Sequence, residues 1–416
     1  MKKSNNKRLA TPQSVDQVIW SICDIMRRGN CAGAMQYVPE LTWILFLRIL
    51  DEKETREQQE AEALGIPFRP SLEAPYRWRD WAAPPPQSNH KGTKTQSKEK
   101  DLVSSCLGGD PLPGWKRAEL QNAAPGSLFS FVNTELLPHL KGLKNRPDAT
   151  PRQKVISEIM TGVERVRIDT ERNFLDVLDK VHQLTTEAVD PTHVFTLSQV
   201  YEGLLLKMGE KANDGGQFFT PRQVIKAMVQ VIDPQIGETV YDPGCGTGGF
   251  LAQSYEHIRD RLGNDATAEQ LETLKQRTFW GREKENLIYP IALANLVLHG
   301  IDKPYLWHGN TLTGQETYGG LFQEAPSLHD VVLTNPPFGG KEGKDAQTRF
   351  AYKTGATQIL FLQHVIDSLK PGGRCGIVLD EGVLFRTSET AFLQTKKKLL
   401  DDCDVWCILS LPSGVL

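Results

Sequence analysis

The chain has 416 residues, 39% of them apolar and 24% charged, an ordinary composition for a globular protein with room for two hydrophobic cores. Its formal net charge of −3 excludes a globally basic nucleic-acid binder, so any DNA contact must come from locally gathered cations or from a basic partner. No run approaches the ~18 apolar residues of a membrane helix, and the seven cysteines include no CxxC pair, which argues against a disulfide framework or a metal site and for a reducing cytoplasm.

Residues 1–190 read as a helical domain. After Thr11-Pro12, Ile19, Ile22, Cys23 and Met26 recur at helical spacing, and Trp43–Leu50 (WILFLRIL) has the character of a buried helix. Residues 65–126 are rich in Pro, Gly and charge. Within them, Ala83–Lys100 is nearly free of large apolar residues and is expected to be a surface loop or disordered insertion. Helical patterns resume over Phe129–Leu140 and Gln153–Leu184, and no internal repeat is present.

Residues 191–416 have a different texture. Short β-rich runs at 239–244, 277–283, 330–338, 374–380 and 404–412 alternate with helix-like segments at 221–231, 287–299 and 358–369, and a further strand is expected near Tyr305–His308. That alternation predicts an α/β, Rossmann-like domain with a parallel sheet, whose ligands sit at the carboxyl ends of the strands.

The unusual residues fall at those ends. Asp242-Pro243-Gly244-Cys245-Gly246-Thr247-Gly248-Gly249 follows a strand and opens a helix, and Gly244, Gly246 and Gly249 satisfy GxGxxG. A tight structural turn or a dinucleotide site would also fit that pattern alone. Asp242 at its mouth would repel a pyrophosphate but suits a cationic, amine-bearing cofactor, which favours S-adenosylmethionine over NAD. The next strand ends at Glu283, where ribose hydroxyls would lie, and the third leads to Asn310, whose amide can meet an adenine edge.

Asn335-Pro336-Pro337-Phe338 ends the apolar strand DVVLT. Two prolines fix φ and remove two N–H donors, which turns nearby carbonyls away from sheet pairing. An adenine N6 amine carries two hydrogens and needs two acceptors, here the Asn335 side-chain oxygen and the Pro336 carbonyl. Holding both stabilises the positive charge that develops on nitrogen during transfer, and Phe338 can stack on a base flipped from the duplex.

With these motifs in this order, the chain resembles the modification subunit of type I restriction-modification systems, an N6-adenine DNA methyltransferase family. Gln217, Phe218, Phe219, Thr220, Pro221 and Arg222 match that family's cofactor-proximal motif, and the order QFFTP, DPGCGTGG, NPPF is that of the γ arrangement. The resemblance implies S-adenosylmethionine at Asp242, Gly244, Cys245, Gly246, Glu283 and Asn310, with Asn335 to Phe338 catalytic. It also implies double-stranded DNA as substrate, with a specificity subunit, a second modification subunit and a restriction subunit as partners. Three departures stand out: Asn310 where the family has Asp, Leu379-Asp380-Glu381 where it has Leu-Pro-Asp, and an end at Leu416 inside a segment that in relatives leads into another strand and a tail. The catalytic domain is therefore expected to be truncated. A glutamine or RNA amino-methyltransferase, an NAD-dependent oxidoreductase and a non-catalytic remnant are the rival readings. GGKEGK at 339–344 fails the phosphate-loop pattern in spacing and in its last residue, and no region is large enough for a target-recognition domain.

Overall fold

The computed structural model describes residues 12–29, 31, 34–86, 111–183, 220–322 and 324–412. Its internal contacts divide the chain into two units, residues 1–153 with 160–196, and residues 154–159 with 197–416.

The first unit is helical. Ile22, Cys23 and Met26 of α1 (Pro12–Arg28) are buried, as is almost all of the apolar run within α2 (Ala34–Leu64). Trp43 stacks on Trp81 and meets Phe174 of α3 (Glu171–His182), both at 6.4 Å between ring centres. The helical patterns over Gln153–Leu184 correspond to two helices, Pro151–Met160 and α3. Gly162 follows the first, and the Thr170 hydroxyl accepts the Asn173 N–H at 3.2 Å to start the second. Within 65–126, the described residues 65–86 and 111–126 are tied together by a buried carboxylate. Asp80, fully buried on the helical turn Trp78–Trp81, accepts from Arg77 at 2.9 and 3.1 Å and from the Trp115 indole at 3.1 Å. A buried carboxylate so paired ties distant parts of the segment together. Ala83, expected to begin the loop, is buried, and residues 87–100 lie outside the described residues.

The second unit is a six-stranded sheet in the order β4-β3-β2-β1-β5-β6. The strands are β1 (Val240–Asp242), β2 (Phe279–Glu283), β3 (Tyr305–Asn310), β4 (Gln315–Gly320), β5 (His329–Thr334) and β6 (Leu369–Ile377). All neighbours pair in parallel except β3 and β4. Helices α4 (Arg222–Ile232), α5 (Gly249–Leu262), α6 (Ala268–Gln276), α7 (Ile288–His299), α8 (Thr357–Ser368) and α9 (Thr390–Asp402) precede, link or follow the strands. Burial on both faces explains the continuous apolar runs of β1 and β5, and Tyr241, Trp280, Tyr305, Val332 and Val365 pack as one cluster. The strand order reverses at β1, so the crevice beyond the carboxyl ends of β1 and β5 is where such a sheet binds ligands.

The structure adds one strand and corrects one expectation. The hairpin strand β4, absent from the sequence reading, pairs with β3. Residues 404–412, expected as a strand, form none: among the described residues no strand lies beside them to take up their N–H and C=O groups. Trp406, Ile408 and Leu409 are accordingly 65%, 70% and 76% exposed.

Candidate active site

The loop leaving β1 is held by its own turns and by the end of β2. Gly246 and Gly248 take positive φ of 53° and 82°, conformations that cost a side-chain-bearing residue energy. Cys245 N–H donates to the Arg282 carbonyl at 2.9 Å, and Gly248 N–H closes back on the Cys245 carbonyl at 2.7 Å. The buried Asn295 of α7 donates to the Thr247 carbonyl at 2.9 Å, and the Thr311 hydroxyl to the Pro243 carbonyl at 2.6 Å. The loop is thus anchored from β2, from α7 and from the turn after β3.

Two buried carboxylates frame it. Asp242 accepts the Gly244 N–H at 3.1 Å and the Thr334 hydroxyl at 2.7 Å, both on Oδ1, so Oδ2 keeps its acceptor capacity. Glu283 accepts the Gly246 N–H at 2.9 Å and the Glu285 N–H at 2.7 Å, one on each oxygen. The Lys284 N–H also bonds this carboxylate, whose two oxygens still offer more acceptor sites than these three donors fill. Burial pushes both acids up to about 7, opposed at Asp242 by Thr334 and Gly244 and at Glu283 by backbone N–H donors. The Cys245 thiol is raised well above its usual range by burial and by the neighbouring acids, so it is a neutral, unreactive group.

Asn335 stands just beyond β5, whose last sheet pair is Thr334 with Ile377. Its Nδ2 donates to Thr220 Oγ1 at 3.0 Å, while its Oδ1 is buried and has no partner among the described residues. A buried oxygen without a donor costs free energy unless a ligand supplies one. Asn310 Oδ1 accepts the Leu312 N–H at 3.0 Å, which leaves that side chain its amide hydrogens to offer.

These groups share one cavity of about 320 Å³. Of the residues singled out in the sequence, Thr220, Asp242, Gly244, Cys245, Gly246, Glu283, Asn310, Asn335, Pro337 and Phe338 line it. Pro336 is buried and does not line it, and neither do Pro221, which precedes α4, and Arg222, its first residue. Gln217, Phe218 and Phe219 lie outside the described residues. Residues the motifs did not flag complete the wall, among them Ile225 of α4 and Phe361 of α8 as apolar surfaces and Lys341 and Glu342 as charges. Thr334 was also missed. Only its position immediately before Asn335 on an apolar strand hinted at it.

The N-6 DNA methylase family pattern matches residues 193–416, and that of the HsdM N-terminal domain matches residues 15–102. The EcoEI type I restriction enzyme methylase subunit of Escherichia coli is 33% identical over 408 residues, 97% of this chain and 72% of its own length. The chain belongs to the type I methylase subunit family. The EcoKI methylase subunit of Escherichia coli K12 is 29% identical over 401 residues, but this chain spans only 63% of that relative. Among solved structures, a type I modification subunit from Vibrio vulnificus superposes with a TM-score of 0.72 at 32% identity, over 94% of this chain and 75% of its own. The fold is the α/β methyltransferase fold of that family, in agreement with the sequence reading. No helix among the described residues is long and apolar enough to cross a membrane.

Proposed function

We propose that this chain transfers a methyl group from S-adenosylmethionine to the N6 amine of an adenine flipped out of double-stranded DNA. The observation that carries this reading is the Asn335 side chain, whose oxygen is buried and without a partner among the described residues, in a residue that lines the same cavity as Asp242 and Glu283. The donor set suits the cofactor: Asp242 Oδ2 can take an ammonium hydrogen, Glu283 the ribose hydroxyls, and the Asn310 amide can donate to the purine. Bound S-adenosylmethionine would supply an electrophilic methyl group.

In this reading Asn335 Oδ1 accepts one hydrogen of the target amine. That acceptor is worth more as the nitrogen turns cationic, so it favours the transition state over the ground state. Phe338, half-buried in the cavity wall, stacks on the flipped base and offsets its lost stacking in the duplex. We further propose a specificity subunit, a second modification subunit and a restriction subunit as partners; a chain 35% identical to this one comes from a structural study of complex assembly in a type I R-M system.

Asn335→Ala tests the assignment. Turnover in the assembled methyltransferase should fall by ~10² or more, while calorimetric affinity for S-adenosylmethionine stays within a few-fold, since the lost acceptor serves the base. Near-normal turnover would remove the assignment.

A further inference from the structure

We infer that Arg349 is a positioning residue for the cofactor side of the cavity: it grips the turn that follows β3 and so fixes the amide of Asn310. The inference rests on the reading above in which that amide donates to the purine of S-adenosylmethionine. Arg349 belongs to none of the sequence motifs and does not line the cavity; it comes from the segment after the Asn335 corner.

The turn is built around one peptide unit. Asn310 Oδ1 accepts the Leu312 N–H at 3.0 Å. A backbone N–H can only donate, so it holds the oxygen end of the Asn310 amide and leaves the amide hydrogens to a ligand. That N–H belongs to the peptide between Thr311 and Leu312, and the Thr311 carbonyl is the other end of the same rigid plane. Arg349 Nη1 donates to the Thr311 carbonyl at 3.4 Å and to the Leu312 carbonyl at 2.9 Å. A guanidinium has no acceptor and a carbonyl no donor, so neither contact can reverse. Tilting the plane to withdraw the Leu312 N–H from Asn310 would pull the Thr311 oxygen from the cation.

The guanidinium is itself held in place. It lies over Gly314, where an added Cβ would stand 2.5 Å from Nη1 and 2.7 Å from Cζ. Gly314 takes φ +66°, and its N–H donates to the Asn310 carbonyl at 2.8 Å, so glycine both closes the turn and makes room for the cation. Leu312 packs with Ala346, Leu360 and Phe361, and Phe350 joins the same cluster. Ala346 and Phe350 lie on either side of Arg349 in the chain, so this apolar contact delivers the side chain to the turn. The Thr311 hydroxyl in turn holds the Pro243 carbonyl of the glycine loop at 2.6 Å. Arg349 thus joins the segment after the base-binding corner to the turn that carries Asn310, and it acts through Asn310 without touching the cofactor.

The test compares Arg349→Met, which keeps the apolar stem and loses the donors, with Arg349→Lys, which keeps a cationic donor. By calorimetry on the purified chain, the methionine variant should bind S-adenosylmethionine about three- to tenfold more weakly, the scale of one lost hydrogen bond, and the lysine variant should recover most of that loss. In an Asn310→Ala background, which has no amide to place, adding Arg349→Met should cost little further. In the assembled methyltransferase with cognate specificity subunit and DNA, the effect should fall on KM for S-adenosylmethionine and not on kcat at saturating cofactor, because the Asn335 corner is untouched. If the methionine variant fails to fold, Arg349→Gln against Arg349→Lys makes the same comparison.

Unchanged affinity in Arg349→Met overturns the inference, and so does a loss of the same size in the Asn310→Ala background, which would mean that Arg349 does not act through Asn310. A fall in kcat with unchanged KM overturns it too, by placing Arg349 on the base side. The cofactor reading fails separately. If Asp242→Asn and Asn310→Ala both leave affinity unchanged, S-adenosylmethionine does not occupy this cavity; if both weaken binding while Arg349→Met binds normally, the positioning role alone is removed.

Discussion

Burial sets the charge state of the two acids that frame the cavity. Asp242 and Glu283 are both pushed up to about 7, so near neutrality each is partly protonated in the unliganded chain. A ligand that donates hydrogens to them, through an ammonium or hydroxyl group, favours the ionised forms and therefore binds with loss of protons. The sign follows directly: above about pH 8 both acids are ionised and affinity is at its plateau, and affinity falls as pH drops through 7. The limiting slope is about tenfold per pH unit for each proton released. We expect the Kd for S-adenosylmethionine to rise markedly between about pH 8 and pH 6, and calorimetry in buffers of different ionisation enthalpy should show proton release at pH 7. Asp242→Asn should weaken binding by roughly 1–3 kcal/mol and remove part of that pH dependence. Affinity independent of pH over this range would mean that neither acid contacts the ligand. Arg282, Lys284, Glu285, Lys341 and Glu342 also line the cavity, so the residual pH dependence of the Asp242→Asn variant isolates what Glu283 and these neighbours contribute.

At the scale of elements, the turn between β1 and α5 is where backbone geometry and ligand binding meet. Gly248 has φ +82°, and a Cβ added there would lie 3.2 Å from the Leu296 side chain of α7. Gly237 provides the control, with φ +91° and nothing within 4 Å of an added Cβ. Gly237→Ala should cost about 1–2 kcal/mol of conformational strain, seen as a lower Tm, and leave cofactor affinity alone. Gly248→Ala should lower Tm further and weaken cofactor binding, because relief of the contact shifts the loop that carries the Gly246 N–H bonded to Glu283. Equal Tm losses with intact binding in both variants would show that the turn tolerates displacement. The contrast also explains what the sequence could reveal. The glycine turn, the apolar strands β1 and β5 and the Asn335 corner are written in adjacent residues, so spacing and turn chemistry expose them. Strand β4 escaped because Gln315–Gly320 shows no apolar alternation and ends in two glycines, so Thr317 and Tyr318 alone do not mark a strand, and it pairs only with β3. Residues 404–412 misled in the opposite direction, since an apolar run becomes a strand only where a neighbouring strand accepts its hydrogen bonds. The Thr220–Asn335 and Thr334–Asp242 bonds span 115 and 92 residues, separations that no local pattern encodes.

For the whole molecule, charge and chemistry pull apart. The chain carries a formal charge of −3, yet the proposed reaction needs an adenine turned out of a polyanionic duplex. Flipping costs a few kcal/mol, which extensive contacts to the surrounding DNA must offset. Those contacts are made mainly by Lys and Arg on phosphates, and each neutralised phosphate steepens the fall of affinity with salt. The cavity wall itself contributes only a few cations, Arg282, Lys284 and Lys341, beside an equal or greater number of acids. A base-reading cavity in an acidic chain is therefore expected to bind DNA weakly when alone. We predict that the isolated chain binds S-adenosylmethionine normally, because that site lies wholly within the second unit. The same preparation should show weak, sequence-indifferent DNA binding by fluorescence anisotropy and no site-specific methyl transfer. Adding the cognate specificity subunit should restore both affinity and site-specific transfer, with a salt slope steeper than that of the chain alone, since the partner supplies the additional phosphate contacts. Comparison with Asn335→Ala in the same complex separates the two contributions: DNA affinity should persist in that variant while transfer is lost. Site-specific methylation by the isolated chain would show instead that its own surface recognises the duplex and that the partner is dispensable for chemistry.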